Sequence, residues 1–303
     1  MNQKNRDVNS QLNIQWYPGH MTKTRRQIEA DLKLVDAVCE IVDARIPVSS
    51  RNPDIDAICG SKPRILVLNR MDLADPAATK KWADYFRGKG IAVLATDCKS
   101  RKGIADFTPA VRRACAEKLE RDAKRGMNRP LRVMVVGIPN VGKSTLINQI
   151  SGRKGAKAEN RPGVTRGKQW VTVDSGLQLL DTPGILWPKF EDPEVGMMLA
   201  YTGAVKENVI DLEELACHLM TLLRKYYPQT LLERYRVEAP EGTPGWELLE
   251  MAGRKRGYLV SGGEVNLERM ARVLLEEYRS GKLGRFTLEI PEDLEAKGHG
   301  KAD

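Results

Sequence analysis

Residues 137–144 have the residue types and spacing of a loop that binds nucleotide phosphates. They read Gly-Ile-Pro-Asn-Val-Gly-Lys-Ser, which fits the pattern GxxxxGK[ST], and they stand between a predicted strand and a predicted helix. Backbone N–H groups at the helix N-terminus can bind phosphate oxygens, Lys143 can reach the β- and γ-phosphates, and Ser144 can ligate Mg²⁺. The residues expected to contact the nucleotide here are Asn140, Val141, Gly142, Lys143, Ser144 and Thr145.

A second short motif, Asp181-Thr182-Pro183-Gly184, could act on the metal side of the same phosphates. It follows a predicted strand, so Asp181 is expected to hold the Mg²⁺ shell through water and the Gly184 amide to contact the γ-phosphate. Between the two motifs, the loop 161–166 offers Thr165 as a second hydroxyl ligand for Mg²⁺. The alternative for Thr165 is a solvated loop residue.

The residues Asn69-Arg70-Met71-Asp72 could recognise the base of the nucleotide. The Asp72 carboxylate can accept hydrogen bonds from N1–H and the exocyclic amine of guanine, a pairing that adenine does not offer. Arg70 stands where lysine is usual in an NKxD pattern, and its aliphatic stem can still cover the base. We therefore predict guanine binding by Asn69, Arg70, Met71 and Asp72.

A further loop, Thr96-Asp97-Cys98-Lys99, follows a short predicted strand and could complete the base site. It departs from the Ser-Ala-Lys pattern of such loops. Because of their position, Asp97 and Cys98 are nevertheless candidates for GTP contact, and a purely structural role in the loop is the equal alternative.

The order of these motifs along the chain is rotated. An ordinary P-loop GTPase begins with its phosphate loop and ends with its base-recognition loop, whereas here residues 69–72 precede residues 137–144. This order predicts a circularly permuted GTPase domain whose old termini have been joined, with the join at residues 125–130. The three-dimensional site is expected to survive the permutation.

Alternating strands and helices predict an α/β domain with a mainly parallel sheet. The predicted strands are Asp36–Asp43, Arg64–Asn69, Ile91–Ala95, Leu131–Gly137, Lys168–Val173 and Leu177–Asp181. The predicted helices are Pro76–Arg87, Gly103–Lys124 and Lys143–Ile150. Beyond about Pro188 the apolar residues follow a helical period, which predicts a C-terminal all-α domain.

The predicted division of the chain has four parts. Residues 1–13 form a flexible N-terminus, 14–188 the permuted GTPase domain, 189–290 a helical domain that binds RNA or the ribosome, and 291–303 a flexible tail.

Composition limits the class of protein and the kind of partner. A net charge of +9 and a pI near 9.3 favour an acidic partner, with nucleic acid as the first candidate and a generally basic soluble protein as the alternative. No apolar run approaches the roughly 20 residues of a membrane span, and Met1–Ser10 has no secretory signal, so a cytoplasmic protein without a membrane partner is expected. The five scattered cysteines predict neither a disulfide framework nor a zinc site.

With these motifs together, the chain resembles the circularly permuted GTPases of the RbgA/YlqF family. The match includes Trp16-Tyr17-Pro18-Gly19-His20-Met21, the run from Asp181 to Pro188, and Ser280-Gly281-Lys282-Leu283-Gly284-Arg285. The resemblance implies hydrolysis of GTP to GDP and phosphate during late maturation of the large (50S) ribosomal subunit. It also implies contact with the subunit precursor and its rRNA. A monomer off the ribosome is expected.

Hydrolysis requires a group that orients water. Ras-like enzymes use a glutamine after the DxxG motif, but this chain has Ile185 there, so the water must be positioned from elsewhere. The resemblance implies that His20 acts near the γ-phosphate, and its ring could accept a water hydrogen bond. Structural packing of the N-terminal turn is the alternative. Lys143 is the second predicted catalytic residue, since it stabilises phosphate charge.

Two further expectations remain open. Asn140 resembles the asparagine of potassium-dependent GTPases, so K⁺ is a candidate cofactor beside Mg²⁺, with loop packing as the alternative. Arg254-Lys255-Arg256 ends a predicted helix and could grip RNA phosphates, or form a solvated terminus favoured by the helix dipole. Two rival functions are a nucleotide-dependent RNA-binding switch or scaffold that hydrolysis only resets, and an ATP-using enzyme, which Asp72 disfavours.

Overall fold

The computed structural model describes residues 26, 28–152, 169–184, 193–205 and 211–294. In this part of the chain, six strands form one sheet in the order β3-β2-β1-β4-β6-β5. The neighbouring strands are parallel, except that β5 is antiparallel to β6. The strands are β1 (Ala37–Asp43), β2 (Arg64–Asn69), β3 (Ala92–Thr96), β4 (Leu131–Gly137), β5 (Gln169–Asp174) and β6 (Leu177–Asp181).

The central strands are apolar because both faces of the sheet are covered. Every residue of β1 is buried, and β2 is buried from its second residue onward. Continuous Val, Ile and Leu runs are typical of parallel strands that lie between two layers of helices. On one face the core includes Val133, Leu146 and Ile147, and on the other it includes Ile28 and Met134.

The order of the strands in the sheet shows how the permuted chain is arranged. The chain moves outward from β1 to β2 and β3, returns to β4 beside β1, and then crosses to the opposite side for β6 and β5. The direction of winding therefore reverses between β1 and β4. In open α/β sheets ligands bind at such a switch point, beyond the carboxyl ends of the strands.

The helices of the sheet domain are α1 (Ile55–Cys59), α2 (Pro76–Gly88), α3 (Phe107–Ala114), α4 (Ala116–Lys124) and α5 (Lys143–Ser151). The predicted single helix Gly103–Lys124 is wrong, because the chain forms two helices that meet at Cys115, where φ is −104° and ψ is 15°. The first helix also begins later than predicted. Gly103 has a φ of +77°, and a Cβ there would overlap the Ala95 carbonyl oxygen, so residues 103–106 form a turn.

The C-terminal region is helical, as predicted. Its helices are α6 (Pro193–Tyr201), α7 (Leu212–Tyr226), α8 (Pro228–Tyr235), α9 (Gly245–Lys255) and α10 (Leu267–Ser280). The apolar stripe of α7 is buried against α9 and α10, and it consists of Leu215, Leu219 and Leu223. Among the described residues, no helix is both long and apolar enough to cross a membrane.

After α10 the chain returns to the sheet domain. The Phe286 N–H donates to the Leu73 carbonyl at 2.9 Å, and the Leu288 N–H donates to the Arg45 carbonyl at 2.8 Å. The Glu289 carboxylate accepts the Val48 N–H at 2.7 Å. Residues 291–294, at the start of the predicted tail, are helical. The C-terminal segment therefore packs on the loops that follow β1 and β2.

Candidate active site

The predicted motifs meet at one edge of the sheet. The phosphate loop (residues 137–144) follows β4, and the base loop (Asn69–Asp72) follows β2. The metal-side loop (Asp181–Gly184) follows β6. Because these strands are parallel, their carboxyl ends lie at the same edge. Residues from three separate parts of the sequence are thus brought to one site.

Asn69 joins the base loop to the phosphate loop. Its side-chain nitrogen donates to the Val141 carbonyl at 2.7 Å, and its side-chain oxygen accepts the Thr96 hydroxyl at 3.1 Å. The Asn69 side chain is buried, with 2% of the residue exposed. A buried amide with both ends paired has one orientation, so Asn69 fixes three strand ends relative to one another.

The close approach of Asn69 explains Gly142. This glycine has a φ of +100°, and a Cβ at that position would overlap the Asn69 side-chain nitrogen. The next residue, Lys143, begins α5, whose N-terminal amides point at the site. Ser144 and Thr145 follow in the first turn and are half-buried.

Lys143 connects the phosphate loop to the metal-side loop. Its ammonium lies 2.5 Å from the Asp181 carboxylate and also donates to the Thr182 carbonyl oxygen. Both Lys143 and Asp181 are buried, with 6% and 2% exposed side chains. A lysine has three N–H donors, so one remains to reach a phosphate oxygen.

Gly184 lies against the phosphate loop. A Cβ built on it would be 3.1 Å from the Cα of Pro139. The Thr182 hydroxyl donates to the Val135 carbonyl at 2.8 Å and holds the start of this loop against β4. The arrangement places Gly184 beside the loop that would hold the γ-phosphate.

Arg70 directs its guanidinium toward the phosphate loop. Its Nη2 donates to the Asn140 carbonyl at 2.7 Å, and its Nε lies 3.8 Å from Asp43 Oδ2. Burial lowers the pKa of Arg70 from its usual value, and the nearby Asp43 carboxylate opposes that shift. Arg70 has a φ of +60°, which turns the chain so that Met71 and Asp72 follow at the site edge, both half-buried.

Asp97 and Cys98 hold the loop after β3. The Asp97 carboxylate accepts the Lys99 N–H at 2.8 Å, and the Asp97 N–H donates to the Lys102 carbonyl. Although partial burial opposes it, hydrogen bonds from Ser100 and Lys99 lower the pKa of Asp97. The Cys98 thiol is buried, which raises its pKa to about 12. The Asp97 carboxylate is engaged within the loop and the Cys98 thiol is buried, so base contact from this loop would use its backbone.

Asn140 also contacts the helical domain. Its side-chain nitrogen donates to the Gly203 carbonyl at 2.8 Å, which leaves its side-chain oxygen as the atom that could ligate a cation. His20 and Thr165 lie outside the described residues.

The basic end of α9 is partly neutralised. Arg254 forms an ion pair with Glu250 at 3.0 Å, and Arg256 lies 3.7 Å from Glu277 and over the Tyr235 ring. Lys255 is exposed.

Sequence reasoning missed Asp43 and Arg45, which form a buried ion pair behind Arg70. Arg45 Nη2 lies 2.7 Å from Asp43 Oδ2, and neither side chain is more than 2% exposed. The available signal was two opposite charges, Asp43 and Arg45, at the end of a strand that was predicted to be buried. Such charges require partners when buried.

The donors present fit Mg²⁺. Ser144 and Asp181 offer a hydroxyl and a carboxylate oxygen, and Mg²⁺ prefers one or two such ligands together with substrate phosphates and water. Among the described residues no cluster of His, Cys, Asp and Glu forms a dedicated metal cage.

The fold and the site together define a circularly permuted P-loop GTPase. A family model described as a 50S ribosome-binding GTPase matches residues 132–240. The Ribosome biogenesis GTPase A of Priestia megaterium is 47% identical over 287 residues, covering 94% of this chain and 99% of the relative. The chain therefore belongs to the ribosome biogenesis GTPase A family.

Other relatives extend over a similar length. The mouse Mitochondrial ribosome-associated GTPase 1 is 35% identical over 300 residues, covering 90% of this chain and 89% of that protein. The solved GDP-bound structure of TM YlqF has a TM-score of 0.62 and 29% identity, and it covers 88% of this chain and 100% of that chain. The predicted fold, with its permuted GTPase domain and helical C-terminal region, is confirmed.

Proposed function

We propose that the chain hydrolyses GTP during late maturation of the large ribosomal subunit, while bound to the subunit precursor. The observation that carries the nucleotide part is Asn69, whose two hydrogen bonds join the base, phosphate and β3 loops. Membership of the ribosome biogenesis GTPase A family supports the ribosomal part. We also infer a cytoplasmic protein that is monomeric off the ribosome.

The residues of the site have distinct roles in this proposal. Asp72 selects guanine, and Asn69, Arg70 and Met71 hold the base loop, with Asp97 and Cys98 completing it. Asn140, Val141, Gly142, Lys143, Ser144, Thr145 and Gly184 bind the phosphates. When bound, Mg²⁺ would neutralise phosphate charge, and Ser144, Asp181 and Thr165 are its proposed holders.

Catalysis in this proposal rests on charge stabilisation and on positioning of water. The Lys143 ammonium is already held by Asp181 in a buried environment, where its charge acts more strongly on a phosphate than in water. His20 is the proposed water-orienting residue, since the DxxG motif is followed by Ile185 and not by glutamine.

K⁺ is a second proposed cofactor. Support comes from Asn140, whose side-chain nitrogen is engaged by Gly203, so that its oxygen has a defined direction. If exchange of K⁺ for Na⁺ leaves particle-stimulated GTP hydrolysis unchanged, the side chain has only a packing role.

The distribution of charge along the chain indicates which segments could contact rRNA. Residues 99–129 carry ten Lys and Arg against four Asp and Glu, a net charge of +6. Residues 211–294 carry twelve against fifteen, a net charge of −3. We therefore propose that phosphate contacts come from exposed residues of α3 and α4 as well as from Arg254, Lys255 and Arg256.

Ultraviolet crosslinking to large-subunit precursor particles tests the proposal. The full-length protein is mixed with particles in the presence of GDP or a non-hydrolysable GTP analogue, and the crosslinked rRNA is mapped. Strong crosslinks with the analogue that fall with GDP support nucleotide-gated binding. Equal crosslinks in both states, or none, count against it.

The alternative is a scaffold or switch that hydrolysis only resets. A Lys143→Ala protein that no longer hydrolyses GTP, yet still supports subunit maturation at the normal rate, would favour that alternative.

A further inference from the structure

The turn after β1 contains an ion pair that the proposed hydrolysis does not use. Arg45 Nε donates to Asp43 Oδ1 at 2.9 Å, Arg45 Nη2 donates to Asp43 Oδ2 at 2.7 Å, and the Arg45 N–H donates to Asp43 Oδ1 at 3.0 Å. Burial opposes ionisation, but the adjacent guanidinium keeps the pKa of Asp43 below its usual value. Removal of one partner would leave a buried charge uncompensated, so the pair acts as a unit.

On one side this pair touches the nucleotide loops. Arg70 lies between Asp43 and the Asn140 carbonyl, at the distances given above, and thereby bridges the base loop and the phosphate loop. The Ala44 N–H donates to the Asn69 carbonyl at 2.8 Å. The first two residues of the base loop are therefore both held from the turn 43–45.

On the other side the pair touches the helical domain. The Arg45 guanidinium lies 5.1 Å from the ring centroid of Tyr278, which is in the last turn of α10 and is fully buried. Within the described residues, Arg45 Nη1 has no hydrogen-bond partner. The ring therefore supplies a favourable contact to this cation in addition to its bonds with Asp43. The Thr287 hydroxyl also donates to the Ala44 carbonyl at 3.2 Å.

The residue after Tyr278 connects α10 to the phosphate loop. Arg279 donates to the carbonyls of Tyr201 and Ala200 at 3.0 and 2.8 Å, and so fixes the end of α6. The turn that follows α6 contains Gly203, whose carbonyl accepts the Asn140 side chain. Tyr278 and Arg279, adjacent residues of α10, are thus linked through these contacts to the base loop and to the phosphate loop, respectively.

We propose that Asp43, Arg45 and Tyr278 are positioning residues of the nucleotide site, through which α10 sets the position of Arg70 and the affinity for guanine nucleotides. A partner that moves the end of α10 then weakens or strengthens nucleotide binding. By thermodynamic linkage, nucleotide binding changes the affinity for that partner by the same factor. This coupling can be measured on the protein without ribosomal particles, so its test does not depend on the proposed ribosomal role.

Two substitutions of Tyr278 test whether its ring positions the nucleotide site through Arg45. Tyr278→Leu removes the ring face, whereas Tyr278→Phe keeps the ring and removes a hydroxyl that has no hydrogen-bond partner among the described residues. Binding of fluorescent GDP and GTP analogues to the full-length protein is measured for both variants. Tyr278→Leu is expected to raise the Kd about five-fold, the effect of about 1 kcal/mol. Tyr278→Phe is expected to leave it unchanged.

A double-mutant cycle with Arg70 tests the route of the effect. If Tyr278 acts through Arg70, then Tyr278→Leu changes the Kd by less than about two-fold in an Arg70→Met background. Tyr235→Phe serves as the control for general loosening of the helical domain, since its hydroxyl bonds to Glu277. Its Kd should match that of the wild type.

Two results would overturn the proposal. One is equal nucleotide affinity in Tyr278→Leu and Tyr278→Phe, and the other is a full five-fold effect that persists without Arg70. If Tyr278→Leu does not fold, the combined Asp43→Asn and Arg45→Met variant replaces it, because it removes both buried charges at similar volume. That variant must show the same loss of affinity, and wild-type affinity would overturn the proposal equally.

Discussion

The side-chain nitrogen of Asn69 donates to the main-chain oxygen of Val141 at 2.7 Å, across 72 positions of the sequence. One buried amide therefore connects the loop predicted to bind the base with the loop predicted to bind the phosphates. In this permuted chain the base loop comes first, so the contact forms only when β1, β2 and β4 are paired. Affinity for the whole nucleotide should depend on this junction.

Gly142→Ala should abolish tight nucleotide binding. The new Cβ would overlap Asn69, and the φ of +100° is unfavourable for alanine. Gly152→Ala is the matched control, since Gly152 also has a positive φ of +64° but no atom within 4 Å of a new Cβ. Isothermal titration with GDP should show loss of binding only for Gly142→Ala. Equal affinities in the two variants would contradict the role of the Asn69 contact.

Lys143→Ala should destabilise the fold as well as stop hydrolysis. The substitution leaves the Asp181 carboxylate buried without its partner, which costs about 3 kcal/mol of unfolding free energy. Asp181→Asn added to Lys143→Ala removes that charge and should recover most of the loss in urea unfolding. GTP turnover should stay at least about 100-fold below wild type in both variants. A double variant no more stable than Lys143→Ala would show that the unpaired Asp181 carboxylate is not the cause of the lost stability.

Asp72→Asn should weaken the preference for guanine. An amide cannot accept both N1–H and the exocyclic amine, so the variant loses a charge-assisted pair of hydrogen bonds. Competition between GTP and ATP for a fluorescent GDP analogue measures the preference. We expect the GTP-to-ATP affinity ratio to fall by about 100-fold or more. Asp75→Asn, at the N-cap of α2, is the control and should leave the ratio unchanged, since it makes the same chemical change outside the base motif and asparagine also caps helices.

Reversal of charge on α3 and α4 should weaken binding to precursor particles. The combined Arg113→Glu, Arg121→Glu and Lys124→Glu variant changes three exposed cations in the +6 segment. Its affinity should fall at least about ten-fold, and its dependence on salt should be shallower. Arg254→Glu with Lys255→Glu should have the smaller effect. A larger effect from the α9 pair would restrict the RNA contact to the helical domain.

Stability should depend on pH through Glu277. Its burial raises the carboxyl pKa, but hydrogen bonds from Arg234 and Tyr235 outweigh burial and hold the pKa below the ordinary 4.5. A lowered carboxyl pKa stabilises the fold above pH 4.5, and this contribution is lost as the pH falls through the folded-state value. Glu277→Gln should therefore be less stable than wild type in urea at neutral pH.

The difference between Glu277→Gln and wild type should shrink as the pH is lowered below 4.5, the ordinary pKa of the carboxyl group, and through its lower folded-state pKa. Glu268→Gln, in an exposed pair with Arg272, should show little difference at any pH. A stability difference between Glu277→Gln and wild type that does not change with pH would contradict a lowered pKa for Glu277.

Local pattern predicted much of the fold. The bounds predicted for β2, β4 and β6 agree with the structure, because β-branched apolar runs bounded by turn residues identify buried strands. The long helix over Gly103–Lys124 was wrong for a tertiary reason. Gly103 must approach the Ala95 carbonyl closely, and an amphipathic period continues through the break at Cys115 without marking it.

The sequence by itself determined the chemistry and the topology. The phosphate, metal-side and base motifs are each contiguous, and their order along the chain implies the permutation. Only the tertiary structure decided how the two domains meet. The contact of Arg45 with Tyr278 and the hydrogen bond from Leu288 to Arg45 join residues more than 200 positions apart. Such contacts depend on how helices and strands pack, and no local pattern of residues encodes them.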